Sequence, residues 1–236
     1  MQRYLLRRFV MAIITLFAVS LLIFVMSRAA GDPRHVYLDD YSTQADWDKL
    51  TLNMGLDKPY YQQYGIFIKD ALSGKFGESL SEGRPSMEII LERFPATLQL
   101  GLAAFAFSVV LGVPLGILSA VKRGGPLDMI GKFVALIGQS APVFWLGLML
   151  MFFLSVQLEW LPPYGRQEKT SIILPGITLG WFYVAANLRL LRSAMLNVLD
   201  SEYVKLARAK GVSEKVVIWK HALRNALIPV LTFAGI

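Results

Sequence analysis

Two histidines, no cysteine and a basic run near the C-terminal end limit the chemistry open to this sequence. His35 and His221 lie in different polar segments with several apolar runs between them. No thiolate is present to join either one, so no metal site is expected. A Gly-x-x-x-x-Gly-Lys-Ser/Thr phosphate loop is also missing, and ATP hydrolysis by this chain is not expected. What remains is hydrogen bonding and docking. Gln99, Gln139, Ser140 and Asn187 are polar groups within apolar runs, and Pro114 and Pro142 free backbone groups in two of those runs. Amides, hydroxyls and loose carbonyls offer hydrogen bonds and few of the ligands that hold a bare transition-metal cation. The docking candidate is Ser201–Pro229, a charged stretch interrupting strongly apolar sequence.

That stretch reads as helix, turn, helix. Tyr203, Leu206, Ala207 and Lys210 recur at spacings of three and four, which leaves Glu202, Lys205 and Arg208 in water. Gly211 stands where a helix closes through a left-handed residue. Ser213 can offer its hydroxyl to the next helix, and Glu214 suits the positive end of that helix dipole. Val216, Trp219, Lys220, Leu223 and Leu227 then line one side before Pro229. The glycine turn is the protruding tip.

The elements around these residues belong in a membrane. The chain has 236 residues, 55% of them hydrophobic, and a mean hydropathy of +0.49. Uncharged runs cover Phe9–Met26, Ala96–Val121, Phe133–Leu158 and Ile172–Leu188, and none contains Asp, Glu, Lys, Arg or His. The third is interrupted at Gln139-Ser140-Ala141-Pro142. The apolar segment from Pro229 to Ile236 is too short to cross a bilayer and reads as the start of a fifth span. A cleaved signal peptide competes for the first run, but Ser27-Arg28-Ala29-Ala30 makes a poor cleavage site.

A net charge of +7 raises the question of nucleic acid, and its distribution answers it. Segments 1–8, 122–132 and 189–228 carry 14 Lys/Arg against 4 acidic residues, and the remainder carries 10 against 13. Basic residues gathered on alternate loops are the positive-inside pattern, so no nucleic-acid partner is expected. The N-terminus and the Ser201–Pro229 loop are expected in the cytoplasm, and 29–94 outside. Within 29–94, Asp46–Asn53 and Pro59–Leu72 read as short surface helices, the second with Tyr60, Tyr64, Phe67, Ile68 and Leu72 on one side.

Several motifs resemble one family. Glu202-Tyr203-Val204, Ala207-Arg208-Ala209-Lys210-Gly211, His221-Ala222-Leu223-Arg224-Asn225-Ala226 and Ile228-Pro229 resemble the EAA loop of ABC importer permeases, and most of all the peptide and nickel branch. Relative to the general loop, Lys205 and Leu206 replace Glu and the first Ala, and His221 and Arg224 replace Ile and the first Pro. Ala207, Leu223 and Pro229 fit. Gly31-Asp32-Pro33, Gly55-Leu56-Asp57-Lys58-Pro59, Gly74-Lys75-Phe76-Gly77-Glu78-Ser79 and the series Pro85, Ile90, Arg93, Pro95, Thr97, Leu98 follow the same branch in order, with Lys75-Phe76 in place of Asp-Leu.

The resemblance implies an all-α polytopic membrane protein with the type I ABC importer permease fold. At least five of that family's six transmembrane helices begin in this chain, with an extracytoplasmic insert after the first. The domains would be 1–28 (tail and first helix), 29–94 (extracytoplasmic) and 95–236 (permease core with the EAA loop at 197–228), the core stopping within the fifth helix. The implied function is the permease subunit of an ATP-driven importer of di- or oligopeptides in a bacterial or archaeal cytoplasmic (inner) membrane. Partners would be a second homologous permease subunit forming a heterodimer, two cytoplasmic ATP-binding subunits that carry ATP and Mg, an extracytoplasmic solute-binding protein and membrane lipid. Glu202, Tyr203, Ala207, Arg208, Ala209, Lys210, Gly211, Val212, Ser213, Glu214 and Lys215 would couple to the ATPases, and Gln99, Gln139, Ser140 and Asn187 would touch the solute. The competing functions are an ATP-independent carrier or channel, a membrane anchor that recruits a soluble protein, and nickel import by the same family.

The topology is testable because the chain has no cysteine of its own. An impermeant thiol reagent on intact cells should label Lys75→Cys and spare Lys210→Cys. The opposite labelling would reverse the orientation.

Overall fold

Backbone amides in hydrocarbon must find their partners within the chain, and a single strand cannot supply them. The chain is accordingly helical. A computed structural model describes residues 2–29, 31–38, 42–79 and 82–235, and among these the only β pairing is one bridge between Glu78 and Pro85. Two compact units result, Met1–Phe94 and Pro95–Ile236.

In the first unit, α1 (Gln2–Ala29) is long and apolar enough to cross a membrane, and most of its large side chains are exposed. Asp32 of the Gly-Asp-Pro motif caps the single turn Pro33–Val36 by accepting from the Arg34 amide at 3.0 Å. The Arg34 guanidinium folds back on the same carboxylate and holds its pKa down at about 2. It also donates to Thr51 Oγ1 at 2.8 Å and lies 5.3 Å from the Trp47 ring centre. Helix α2 (Gln44–Asn53) starts at a reciprocal capping box between Thr43 and Asp46. Part of the aromatic stripe on α3 (Tyr60–Leu72) is half-buried against α1: Tyr64 meets Phe17 and Phe24 edge-on, its hydroxyl lies 2.8 Å from Ser20 Oγ, and Phe67 reaches Phe24. Tyr60 and Leu72 stay exposed.

Helix α4 (Ser86–Val121) contributes its start to the first unit and the rest to the second, and runs through Pro95 and Pro114. A turn at 122–125 leads to α5 (Pro126–Ser140). Then α6 (Val143–Met151) continues as a wider π turn over Phe152–Gln157. The third run is interrupted at Ala141-Pro142, and the interruption is a sharp bend. Its halves meet at 107°, because Pro142 lacks an amide proton and disfavours helical backbone at Ala141, which is extended. Helix α7 (Ile173–Leu199) extends well beyond the apolar run expected there. Three segments, α1, α4 and Lys169–Leu199, can each cross a membrane, and the bent pair would make a fourth, so the protein is multi-pass.

The second unit is built on α7, which touches α5, α6 and the helices that follow it. Against α4 the contact is backbone to backbone. A Cβ on Gly112 would lie 3.0 Å from the Val184 carbonyl oxygen, and one on Gly180 only 2.7 Å from the Ala104 carbonyl oxygen and 2.9 Å from the Phe107 ring. Such close approach is how helices gain dispersion energy where lipid removes the hydrophobic drive.

Gly180→Ala should lower the thermal midpoint of the detergent-solubilised protein, since overpacking of this kind costs about 1–3 kcal/mol. Gly101→Ala, which meets nothing within 4 Å, should leave it unchanged or raise it by removing a helical glycine. Equal shifts in the two variants would refute the packing argument.

Candidate functional site

Beyond α7 the chain forms α8 (Glu202–Ala209), a turn, α9 (Glu214–Val216), a π turn over Val217–Ala222, and α10 (Leu223–Ala234). Gly211 has φ +79°, the left-handed value that glycine adopts without strain. Its amide donates to the Arg208 carbonyl at 2.9 Å and the Val212 amide to the Ala207 carbonyl at 3.2 Å, the paired bonds of a Schellman closure. Ala209, Lys210, Gly211, Ser213, Glu214 and Lys215 are exposed, and Val212 is half-buried. The tip is a rigid turn.

Two side-chain links hold the helices flanking that tip. Arg208 donates to Glu214 at 2.7 and 3.1 Å, which keeps the Glu214 carboxyl below the usual carboxylate range despite partial desolvation. Tyr203 accepts from Asn225 at 2.9 Å and donates to the His221 carbonyl at 3.3 Å. Glu202 pairs with Lys205 along α8. Ser213 sits at the cap position with extended backbone, but its hydroxyl makes no capping bond. Glu214 is held by Arg208 instead.

The packing faces differ from the spacing argument. On α8 the buried residue is Val204, with Ala207 half-buried, whereas Tyr203 and Leu206 are exposed. After the turn, Val217, Ala222, Leu223, Ala226 and Val230 are buried, while Val216 and Trp219 face out. The π turn takes up an additional residue, so one stripe at 3.6 residues per turn cannot hold on both sides of it: Leu223 and Leu227 pack on the core, and Val216 and Trp219 do not. Nor does Pro229 end the helix; it lies inside α10. Helices α4, α7 and α10 share a core of Ile117, Leu191, Met195, Leu223, Ala226 and Val230, which roots the loop.

A charged cluster beneath that core went unread in the sequence. Asp128, counted there only as a loop charge, has a fully buried side chain. Its Oδ1 accepts from Ser119 Oγ at 2.6 Å and Arg192 Nε at 2.7 Å. Oδ2 accepts from Arg192 Nη2 at 3.0 Å, Lys132 Nζ at 2.9 Å and the Gly124 amide at 3.0 Å. The available signals were Lys132 one turn after Asp128 on the same helix, and Arg192 between the apolar pairs Leu190-Leu191 and Ala194-Met195.

The four polar groups of the spans are not brought together. Gln99 lines a cavity of about 580 Å3 with Thr97, Leu100, Arg166, Lys169 and Pro175. Asn187 is buried, donates to Ser108 Oγ at 3.3 Å and leaves its own carbonyl oxygen unpartnered. Gln139 and Ser140 are exposed at the break after α5, and Gln139 lines a separate cleft of about 340 Å3 with Lys132, Leu136, Leu188, Arg189 and Arg192. His35 lies edge-on to Trp47 at 5.1 Å, and the described residues hold no cluster of three or more His, Cys, Asp or Glu suited to a metal.

Known proteins match over the whole chain. The dipeptide transport system permease protein DppB of Alkalihalophilus pseudofirmus is 36% identical over 265 residues, covering 100% of this chain and 80% of that protein. The di/tripeptide transport system permease protein DppB of Pseudomonas aeruginosa is 39% identical, covering 100% and 79%. The oligopeptide transport system permease protein AppB of Bacillus subtilis is 37% identical, covering 100% and 78%. Residues 1–101 match the N-terminal family of binding-protein-dependent transport system membrane components. Residues 112–236, which hold the bent α5–α6 pair, α7 and the glycine-tipped loop, match the family of the inner membrane component itself. The chain belongs to the binding-protein-dependent transport system inner membrane components, the permeases of ABC importers.

Proposed function

We propose that this chain is a permease subunit of an ATP-driven importer of di- or oligopeptides. The observation that carries the reading is identity of 36–39% along the entire chain to permeases whose names specify dipeptides, di/tripeptides and oligopeptides. Family membership brings with it a solute-binding protein and ATPases. In the finer reading, the partner permease is a different, homologous subunit, and two cytoplasmic ATPases carry the ATP and Mg. The N-terminus lies in the cytoplasm and 29–94 outside, in contact with the binding protein.

Energy enters at the Gly211 tip. Residues from Glu202 to Lys215 supply the coupling surface, supported by the exposed, internally bonded turn and by Tyr203 and Arg208, which stiffen it. Solute passes amide and hydroxyl groups. Gln99, whose cavity combines apolar walls with Arg166 and Lys169, and Gln139 with Ser140 at the helix break are the candidates that face open space. Asn187 is the exception, being enclosed by helix packing, and its role is to orient Ser108 and α7.

Gly211→Val places a β-branched side chain at positive φ, a strain of roughly 1–2 kcal/mol, and should reduce ATPase retention on purification, peptide uptake, or both. Normal values of both would refute coupling at this turn. The substrate is tested with the complete reconstituted complex: binding protein loaded with short peptides should stimulate ATP hydrolysis, and binding protein loaded with nickel should not. Stimulation by nickel alone would overturn the peptide reading.

A further inference from the structure

Asp128 lines neither solute candidate cavity and lies outside the coupling loop, although Lys132 and Arg192 reach the Gln139 cleft, and its cluster ties together the helices that the loop must move. Ser119 stands near the end of α4, Gly124 in the turn, Asp128 and Lys132 in the first turns of α5, and Arg192 in α7. Five donors fall on one carboxylate that offers about four lone-pair directions, so the oxygens are saturated from three helices and a turn. Arg192 precedes the end of α7 at Leu199 by about 10 Å of helix, at 1.5 Å per residue, and the loop begins just beyond. One position before Arg192 and three after it on α7, Leu191 and Met195 belong to the core shared with α10, the loop's second root.

Apolar contacts alone resist separation of helices but are indifferent to direction, and so permit sliding. A guanidinium engaged by Nε and Nη2 with both oxygens of one carboxylate fixes distance and angle together. We propose that Asp128 and Arg192 are a positioning pair in transport coupling. They make α4, α5 and α7 one body, so that displacement of the Gly211 tip reaches the spans instead of being absorbed by slippage between them. This rests on the reading that the loop is where ATPase work enters.

The experiment uses the complete complex in vesicles, with permease partner, ATPases and binding protein, and measures ATP hydrolysed per peptide imported together with ATPase retention on purification. Asp128→Asn and Arg192→Gln should retain the ATPases and hydrolyse ATP at close to the unmodified rate. The ratio of ATP to peptide should rise by about fivefold to tenfold, the size of effect seen when coupling elements are altered. Arg192→Lys, which keeps the charge and loses the fork, should fall between. Lys122→Met serves as the comparison: Lys122 is exposed in the turn after α4, outside both the carboxylate and the Gln139 cleft, and should leave the ratio nearly unchanged. An unchanged ratio in assembled Asp128→Asn and Arg192→Gln complexes would overturn the proposal. Should those chains fail to accumulate, Ser119→Ala removes one donor and keeps both charges. A raised ratio there supports the pair, and an unchanged one overturns it. An unmodified complex that imports no peptide would refute the importer reading itself, and with it this inference, before any variant is compared.

Discussion

The approach of α7 to α4 at bare backbone is the contact on which the second unit depends. With glycine at Gly112, Gly116, Gly176 and Gly180 the two helices meet along main-chain surface. Every other neighbour of α7 is placed by that axis. Helix α5 meets it at Gly138, where a Cβ would come within 2.6 Å of the Ala185 methyl, and the core of Ile117, Leu191, Met195 and Ala226 continues the seam toward the loop. Between lipid and helix the apolar area is worth little, so shape at van der Waals contact decides which helices pair.

The charged and amide side chains buried in that unit, Asp128 and Asn187, each have partners. Asn187 is paired with Ser108 within the α4–α7 seam, and Asp128 collects its donors beside the helix ends. The loop follows the same rule at the surface: Arg208 with Glu214 and Tyr203 with Asn225 brace the turn from both sides. The first unit repeats the pattern in water, where Asp32 caps a turn and holds Arg34 against Trp47 and Thr51.

Much of this was legible in the sequence, for physical reasons. Uncharged runs announce spans, because a charge in hydrocarbon is expensive. Gly211 announces its φ, because the residues before it are good helix formers and nothing else closes a helix as cheaply. The helix–turn–helix course of 201–229 was legible as well. What was lost had equally definite causes. A π turn has no residue signature, so the stripe that fits Leu223 and Leu227 was carried back through it to Val216 and Trp219, which are exposed. Pro142 marked a break but not its angle, since Pro fixes one dihedral and the neighbours fix the rest. Asp128 was misread because a lone carboxylate beside a Gly-Gly turn looks the same whether it meets water or an arginine from 64 residues away.

The π turn at Val217–Ala222 also sets a phase. Each residue of an α-helix advances the side chains by about 100°, so one residue gained or surrendered in that turn would rotate all of α10 by that angle without lengthening any loop. In the present phase Ala226 and Val230 lie in the core against α7, while Leu231 and Ile228 point outward. Relaxation to regular winding would carry that buried face away from α7. The core therefore fixes the rotational setting of α10 about its own axis as well as its position.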